Sequence, residues 1–166
     1  QTISGAPFEN GVFARVFSLT GEATRAVFFA FDRKERSGVT IASTDMDGDD
    51  KVERMKITER GEVQIIFGDG KSVRWNPKLS FVKPAQSLAL SLAFGDLTGD
   101  GVKEIILGSA GQVRVYRADG TLLIPPFFPF GPRYKGAVNV AVGDLNGNGD
   151  TEIVVGVGAG GPQVRI

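Results

Sequence analysis

Residues 140–156 read Val-Ala-Val-Gly-Asp-Leu-Asn-Gly-Asn-Gly-Asp-Thr-Glu-Ile-Val-Val-Gly, a polar loop between two runs of small and β-branched residues. Two earlier stretches have the same form: Val39-Thr-Ile-Ala-Ser-Thr-Asp45 and Leu90-Ser-Leu-Ala-Phe-Gly-Asp96. Their aspartates and Asp144 are 51 and 48 residues apart. Because a period of about fifty residues is typical of repeat architectures, the chain is predicted to be built from repeats.

Each period contains four short runs rich in Val, Ile, Leu and Phe, divided by Gly, Asp, Asn or Pro. Four strands per repeat predict an all-β chain of β-propeller blades, each with four antiparallel strands and about three blades in all. The segment Thr121–Pro132 carries four prolines, which suits an outer edge strand or a loop. A β-sandwich with accidental internal similarity is the alternative. Residues 1–166 are read as a single propeller segment with repeats at 12–61, 62–111 and 112–161, and with 162–166 starting the next.

The composition limits which partners and which metal ligands can be expected. There are 19 Lys and Arg against 19 Asp and Glu, so no overall field favours nucleic acid or an anionic membrane. No apolar run reaches the roughly 18–20 residues that a membrane-spanning helix needs. The chain has no His, the commonest general base, and no Cys for disulfides or thiolate metal sites. We therefore expect neither nucleic-acid binding nor membrane insertion, and we expect any metal site to use oxygen ligands.

The three acidic loops carry such ligands. Loop 1 is residues 45–53, loop 2 is residues 96–104 and loop 3 is residues 144–152; each has oxygen-bearing side chains at loop positions 1, 3, 5 and 9. Calcium takes six to eight hard oxygen ligands, and the carbonyl at position 7 would add one more. Glycine at position 4 lets the backbone curl. The predicted ligands are Asp45, Asp47, Asp49, Lys51 and Glu53 in loop 1, Asp96, Thr98, Asp100, Val102 and Glu104 in loop 2, and Asp144, Asn146, Asn148, Asp150 and Glu152 in loop 3, where Lys51, Val102 and Asp150 offer their carbonyl oxygens.

An alternative is that Asp-Gly and Asn-Gly are only good hairpin turns. Three copies of one oxygen pattern favour metal binding, because the clustered carboxylates repel one another without a cation. Loop 3 has the fewest carboxylates at the four side-chain positions, so it is predicted to bind most weakly. Asp50 stands where the other loops have Gly101 and Gly149, and it would be strained if that position needs a positive φ.

Residues 140–156 and 158–166 resemble the FG-GAP, or VCBS-type, repeats of integrin-α-like calcium-binding β-propellers and of many bacterial exported proteins. The resemblance covers nearly the whole chain, with residues 1–10 the weakest part. It implies up to three Ca²⁺ ions held by the acidic loops. Sites of this kind fill readily at extracellular calcium concentrations, so an extracellular or cell-surface location is expected. Thr98 at position 3 of loop 2 and Asp50 depart from the family pattern.

About three blades are too few for a closed ring, which usually has four to eight. The chain is thus expected to be a segment of a longer propeller, half of a two-chain ring, or a filament subunit joined by strand complementation. In the two assembly cases, Gln163–Ile166 and Phe13–Phe17 would lie at the joint.

The leading functional hypothesis is a non-catalytic, calcium-stabilised extracellular scaffold for adhesion, recognition or assembly, with a protein or glycan as ligand. The alternative is a carbohydrate-binding or polysaccharide-cleaving propeller domain of an exported enzyme. Catalysis would depend on carboxylates, Lys, calcium or the two tyrosines, Tyr116 and Tyr134. The stretch Asp69–Pro84, with Trp75, is a candidate contact surface.

Overall fold

A computed structural model describes residues 2–8, 11–17, 20–22, 28–29, 39–58, 62–75, 90–158 and 160–166. These residues contain no helix and form antiparallel sheets of three and four strands, which fit partial propeller blades. The chain divides into two compact units, residues 1–43 with 54–78 and residues 44–53 with 79–166. All three acidic loops belong to the second unit. The predicted contact residues 76–84 and the side chain of Trp75 lie outside the part that is described.

The first unit contains two sheets, except for Thr44 and Glu53 at two strand ends, which belong to the second unit. One has the order β1-β2-β3, with strands Thr2–Phe8, Gly11–Phe17 and Phe28–Phe29. The other has the order β4-β5-β6-β7, with strands Val39–Thr44, Glu53–Thr58, Val63–Ile66 and Ser72–Trp75. Met55 and Ile57 on β5 pair with Ile65 and Val63 on β6, and all four are buried. Between these pairs Lys56 lies opposite Gln64, and both are buried as well, so the apolar residues share one face of the sheet while the other face is also covered.

Strand β1 precedes residue 12, where the first predicted repeat begins, so it belongs to none of the predicted repeats. Seven residues of β1 pair with β2, from Thr2 opposite Phe17 to Phe8 opposite Gly11. The missed signal is Asn10-Gly11, a dipeptide that favours tight hairpins. Strand β2 consequently lies between β1 and β3, and Phe13 pairs on both sides. The predicted joint at Phe13–Phe17 therefore falls on an interior strand.

The second unit contains a four-stranded and a three-stranded sheet. The first has the order β11-β10-β9-β8 and comprises β8 Ser91–Gly95, β9 Glu104–Ser109, β10 Gln112–Tyr116 and β11 Leu122–Phe127. The second has the order β12-β13-β14 and comprises β12 Val138–Gly143, β13 Glu152–Val157 and β14 Val164–Arg165. Strand β11 is an outer edge strand, as its prolines predicted, and its pairing with β10 is irregular.

The two sheets of the second unit share one core. Its buried members are Ile106, Val113, Val115, Val138, Val140 and Val155. The backbones approach closely at Gly108, where a Cβ would lie 2.3 Å from the carbonyl oxygen of Val138. The Ser91 hydroxyl accepts a hydrogen bond from the Val140 amide at 2.9 Å, which fixes β8 against β12. This packing holds together β8 and β12, the strands after which loops 2 and 3 begin.

Candidate metal centre

Each acidic loop joins the first two strands of a sheet: loop 1 joins β4 to β5, loop 2 joins β8 to β9, and loop 3 joins β12 to β13. Position 4 is a glycine with φ between 74° and 77° in all three. Position 6 also has a positive φ, which is 63° at Asp50, 85° at Gly101 and 91° at Gly149. The strain predicted for Asp50 is therefore present, because a side chain rarely adopts this conformation.

The aspartate at position 1 organises each loop by accepting backbone N–H groups. Asp144 Oδ1 accepts from Gly147 at 2.6 Å and from Asn148 at 3.2 Å, and its Oδ2 accepts from Gly149 at 2.9 Å. Asp96 accepts from the matching three amides of loop 2, and Asp45 accepts from two amides of loop 1. Three loops of different sequence thus share one backbone arrangement around their first carboxylate.

Positions 5 and 9 repeat as well. The side-chain oxygen at position 5 accepts the N–H of position 7 at 2.8–2.9 Å in every loop. The glutamate at position 9 accepts the N–H of position 2: Glu53 from Met46 at 2.6 Å, Glu104 from Leu97 at 2.9 Å and Glu152 from Leu145 at 2.8 Å. Each glutamate thereby closes the base of its loop.

These amide contacts favour the ionised carboxylate. The Gly101 N–H is the largest influence that lowers the pKa of Asp96, and the Gly149 N–H does the same for Asp144. A carboxylate that accepts several N–H bonds is stabilised in its charged form. Both aspartates are therefore anionic at neutral pH, the form in which a carboxylate binds a cation.

Loop 1 brings three carboxylates together. Asp45, Asp47 and Asp49 each offer an oxygen within 4.8 Å of the others, and this group could hold a metal ion. The spacing fits calcium, since oxygens about 2.4 Å from one ion are separated by no more than about 4.8 Å. In the described part of the chain, this is the one such group of three or more acidic side chains. Glu53 is 2% exposed and is not a member of this group.

The contacts that two lysines, Lys51 and Lys103, make at loop 1 were not predicted from the sequence. The Lys51 ammonium pairs with Asp49 Oδ2 at 2.6 Å. Lys51 was predicted to bind the cation through its backbone carbonyl, but its side chain competes with a cation for the Asp49 carboxylate. Lys103 of loop 2 donates from Nζ to the Asp45 carbonyl at 2.7 Å and to Thr44 Oγ1 at 3.1 Å. Its backbone N–H donates to the Met46 carbonyl at 2.8 Å. Loops 1 and 2 are therefore joined directly.

Loops 2 and 3 have fewer carboxylates than loop 1 at the four side-chain ligand positions. Loop 2 has Thr98 at position 3, where loop 1 has an aspartate. In loop 3 the side-chain amide of Asn146 donates to Glu152 Oε1 at 2.8 Å, and the amide of Asn148 donates to Asp150 Oδ2 at 3.2 Å. Their amide oxygens face the N–H groups of Asn148 and Asp150. Neutral oxygens at two ligand positions predict a weaker cation site than loop 1.

The two tyrosines lie away from these loops in the sequence and have structural partners. Tyr134 donates its hydroxyl to the Ala137 carbonyl at 2.8 Å and meets the ring of Phe130 edge-on. Tyr116 is 4% exposed and lies 3.4 Å from an Arg114 nitrogen. Both side chains help to hold the fold.

The described sheets are antiparallel with three or four strands, and three of the four carry an aspartate-led loop between their first two strands, which defines the class as β-propeller-like blades. Residues 96–155 match the family model described as an FG-GAP-like repeat, which supports an FG-GAP-like repeat in that part of the chain. No curated protein and no solved structure matches the chain. Among the described residues, no helix has the length and apolar character to span a membrane.

Proposed function

We propose that this chain is a β-propeller-type domain whose three acidic loops bind calcium, and that the bound ions stiffen a non-catalytic extracellular scaffold for adhesion, recognition or assembly. The observation that carries the proposal is the shared loop geometry, with the converging carboxylates of Asp45, Asp47 and Asp49. FG-GAP-like repeats generally serve as non-catalytic scaffolds, which supports the same function.

The physical role of the cation follows from charge. Loop 1 has four carboxylates at its ligand positions, and the Lys51 ammonium pairs with one of them, Asp49. A divalent ion relieves their repulsion, and because it binds the folded loop, its binding free energy adds to the stability of the fold. Calcium suits the set better than zinc or copper, since only oxygen ligands are present.

The proposal is tested by thermal unfolding in excess calcium, in excess magnesium and in a calcium chelator. We expect calcium to raise the melting temperature and magnesium to raise it less, because magnesium demands a stricter octahedral site. An Asp47→Asn variant is compared with the parent, since it keeps the size of the side chain and removes one charge from the group of Asp45, Asp47 and Asp49. Equal melting temperatures in calcium and chelator would contradict the proposal.

The loops are ranked by calorimetric titration of Asp45→Ala, Asp96→Ala and Asp144→Ala variants. Loop 3 has carboxylates only at Asp144 and Glu152 among its four side-chain positions, so its loss should remove the weakest binding step. Tightest binding by loop 3 would overturn this ranking.

Self-assembly by strand complementation is a second proposal, favoured by the exposed edge at β14. Val164 is 68% exposed and Ile166 is 78% exposed, although both are apolar. Among the described strands, β14 pairs only with β13, and a strand edge of this kind can accept a strand from another chain. We expect the chain to self-associate, and a Val164→Lys variant to shift the mass in solution towards the monomer. A parent chain that stays monomeric would contradict this proposal.

A further inference from the structure

Loop 3 contains two Asn-Gly pairs, Asn146-Gly147 and Asn148-Gly149. All residues from 144 to 150 are exposed, so the pairs are open to water. At the same positions loop 1 has Asp47 and Asp49, which are the acids that hydrolysis of two amides would create.

An asparagine followed by glycine can lose ammonia without an enzyme. The backbone nitrogen of the glycine gives up its proton and bonds to the side-chain Cγ, while the C–N bond of the amide breaks and ammonia leaves with the proton. Water then opens the five-membered succinimide at either carbonyl, giving aspartate or isoaspartate. Glycine favours ring closure because it has no side chain to obstruct the attack.

The structure shows what restrains this attack in loop 3. Both attacking nitrogens donate to one carboxylate: Gly147 N–H to Asp144 Oδ1 at 2.6 Å, and Gly149 N–H to Asp144 Oδ2 at 2.9 Å. Either nitrogen must leave Asp144 before it can turn towards the neighbouring Cγ. The leaving amide of Asn146 is also held, by Glu152 at 2.8 Å.

We propose that Asn146 and Asn148 are deamidation sites, that Asp144 restrains both reactions through these two hydrogen bonds, and that conversion changes the ligand set of loop 3. The last step rests on the proposed calcium function. An aspartate product gives loop 3 carboxylates at all four side-chain ligand positions, as in loop 1, and strengthens cation binding. An isoaspartate product lengthens the backbone by one carbon and breaks the shared loop geometry.

The first test does not involve calcium. The parent chain, Asp144→Ala and Asp144→Asn are incubated in chelator at mildly alkaline pH, and conversion at each asparagine is followed by peptide mass mapping. Asn10, in the remaining Asn-Gly pair, serves as an internal clock. Relative to Asn10, we expect Asp144→Ala to convert both loop 3 sites roughly tenfold faster, a ratio that corresponds to about 1.4 kcal/mol in the barrier. Asp144→Asn keeps one acceptor oxygen, so its acceleration should be smaller.

Equal rates in the parent and both variants would overturn the role of Asp144. Absence of conversion at Asn146 and Asn148 while Asn10 converts would overturn the sites themselves. The second test compares the parent with an Asn146→Asp, Asn148→Asp double variant by calcium titration, and the double variant should bind several-fold more tightly. Equal binding would overturn the link to loop 3, whereas failure of both chains to bind calcium would contradict the proposed function and leave the first test intact.

Discussion

Replacing Lys103 with Met should loosen the link between loops 1 and 2. The substitution keeps most of the side-chain length and the backbone N–H bond to Met46, but it removes the ammonium group. That group donates to the Asp45 carbonyl at 2.7 Å and to Thr44 Oγ1 at 3.1 Å. Asp45 is position 1 of loop 1, so the loss of these two hydrogen bonds affects the candidate metal centre directly.

The expected cost follows from these two contacts. A hydrogen bond that involves a charged group contributes about 1.5–3 kcal/mol when it is buried. Lys103 is half-buried, and water can replace part of what is lost. We therefore expect the variant to lose about 1–2 kcal/mol of unfolding free energy, below the sum of two buried bonds.

Urea unfolding in the presence of a calcium chelator measures this loss without a contribution from bound ions. Lys71→Met is the matched control, because the Lys71 ammonium pairs only 2.7 Å from Asp69 but its side chain is 84% exposed. We expect no measurable change in the control. A Lys103→Met variant that unfolds at the same urea concentration as the parent would refute the inferred link.

Three further predictions concern packing, hydrogen bonding and protonation. Gly108→Ala should cost about 1–3 kcal/mol in thermal unfolding because its Cβ would meet the Val138 carbonyl at 2.3 Å, whereas Gly143→Ala, with open space around it, should not. Tyr134→Phe should lose about 0.5–1.5 kcal/mol with its hydrogen bond to Ala137, and an unchanged melting curve would contradict this role. The lowered pKa of Asp96 and Asp144 stabilises the folded loops above the ordinary value of 3.8, and this stability is lost as the pH falls through the lowered folded pKa. The amide signals of Gly101 and Gly149, followed by NMR, should therefore titrate below 3.8, and midpoints above that value would contradict the geometry.

Much of the loop architecture was predictable because it is local in sequence. The spacing of apolar runs predicted four-stranded antiparallel sheets, and the second unit contains one, β8 to β11, with the proline-rich strand at its edge. The comparison of Asp50 with Gly101 and Gly149 predicted strain at position 6, and Asp50 has a φ of 63°. In both cases the deciding information is a local pattern that recurs in each repeat, so it can be read without knowledge of the tertiary contacts.

The remaining features depend on contacts that spacing does not encode. Lys103 and Asp45 are 58 residues apart, and no local pattern indicates that one would bond to the other. The pairing of Lys51 with Asp49 depends on a side-chain direction that the ligand pattern leaves open. The glutamates at position 9 were predicted only as ligands. In the structure they accept the N–H groups of position 2 and so close the base of each loop, a role that the spacing of oxygen-bearing residues does not indicate.

The most direct test of cation binding by the three acidic loops is anomalous X-ray scattering from crystals of the protein grown in saturating calcium. The loop geometry predicts an anomalous peak in each of the three loops, with the peak of loop 1 among the carboxylate oxygens of Asp45, Asp47 and Asp49. Well-ordered loops with no anomalous peak would show that the N–H bonds alone hold these turns, and would contradict the calcium-binding function.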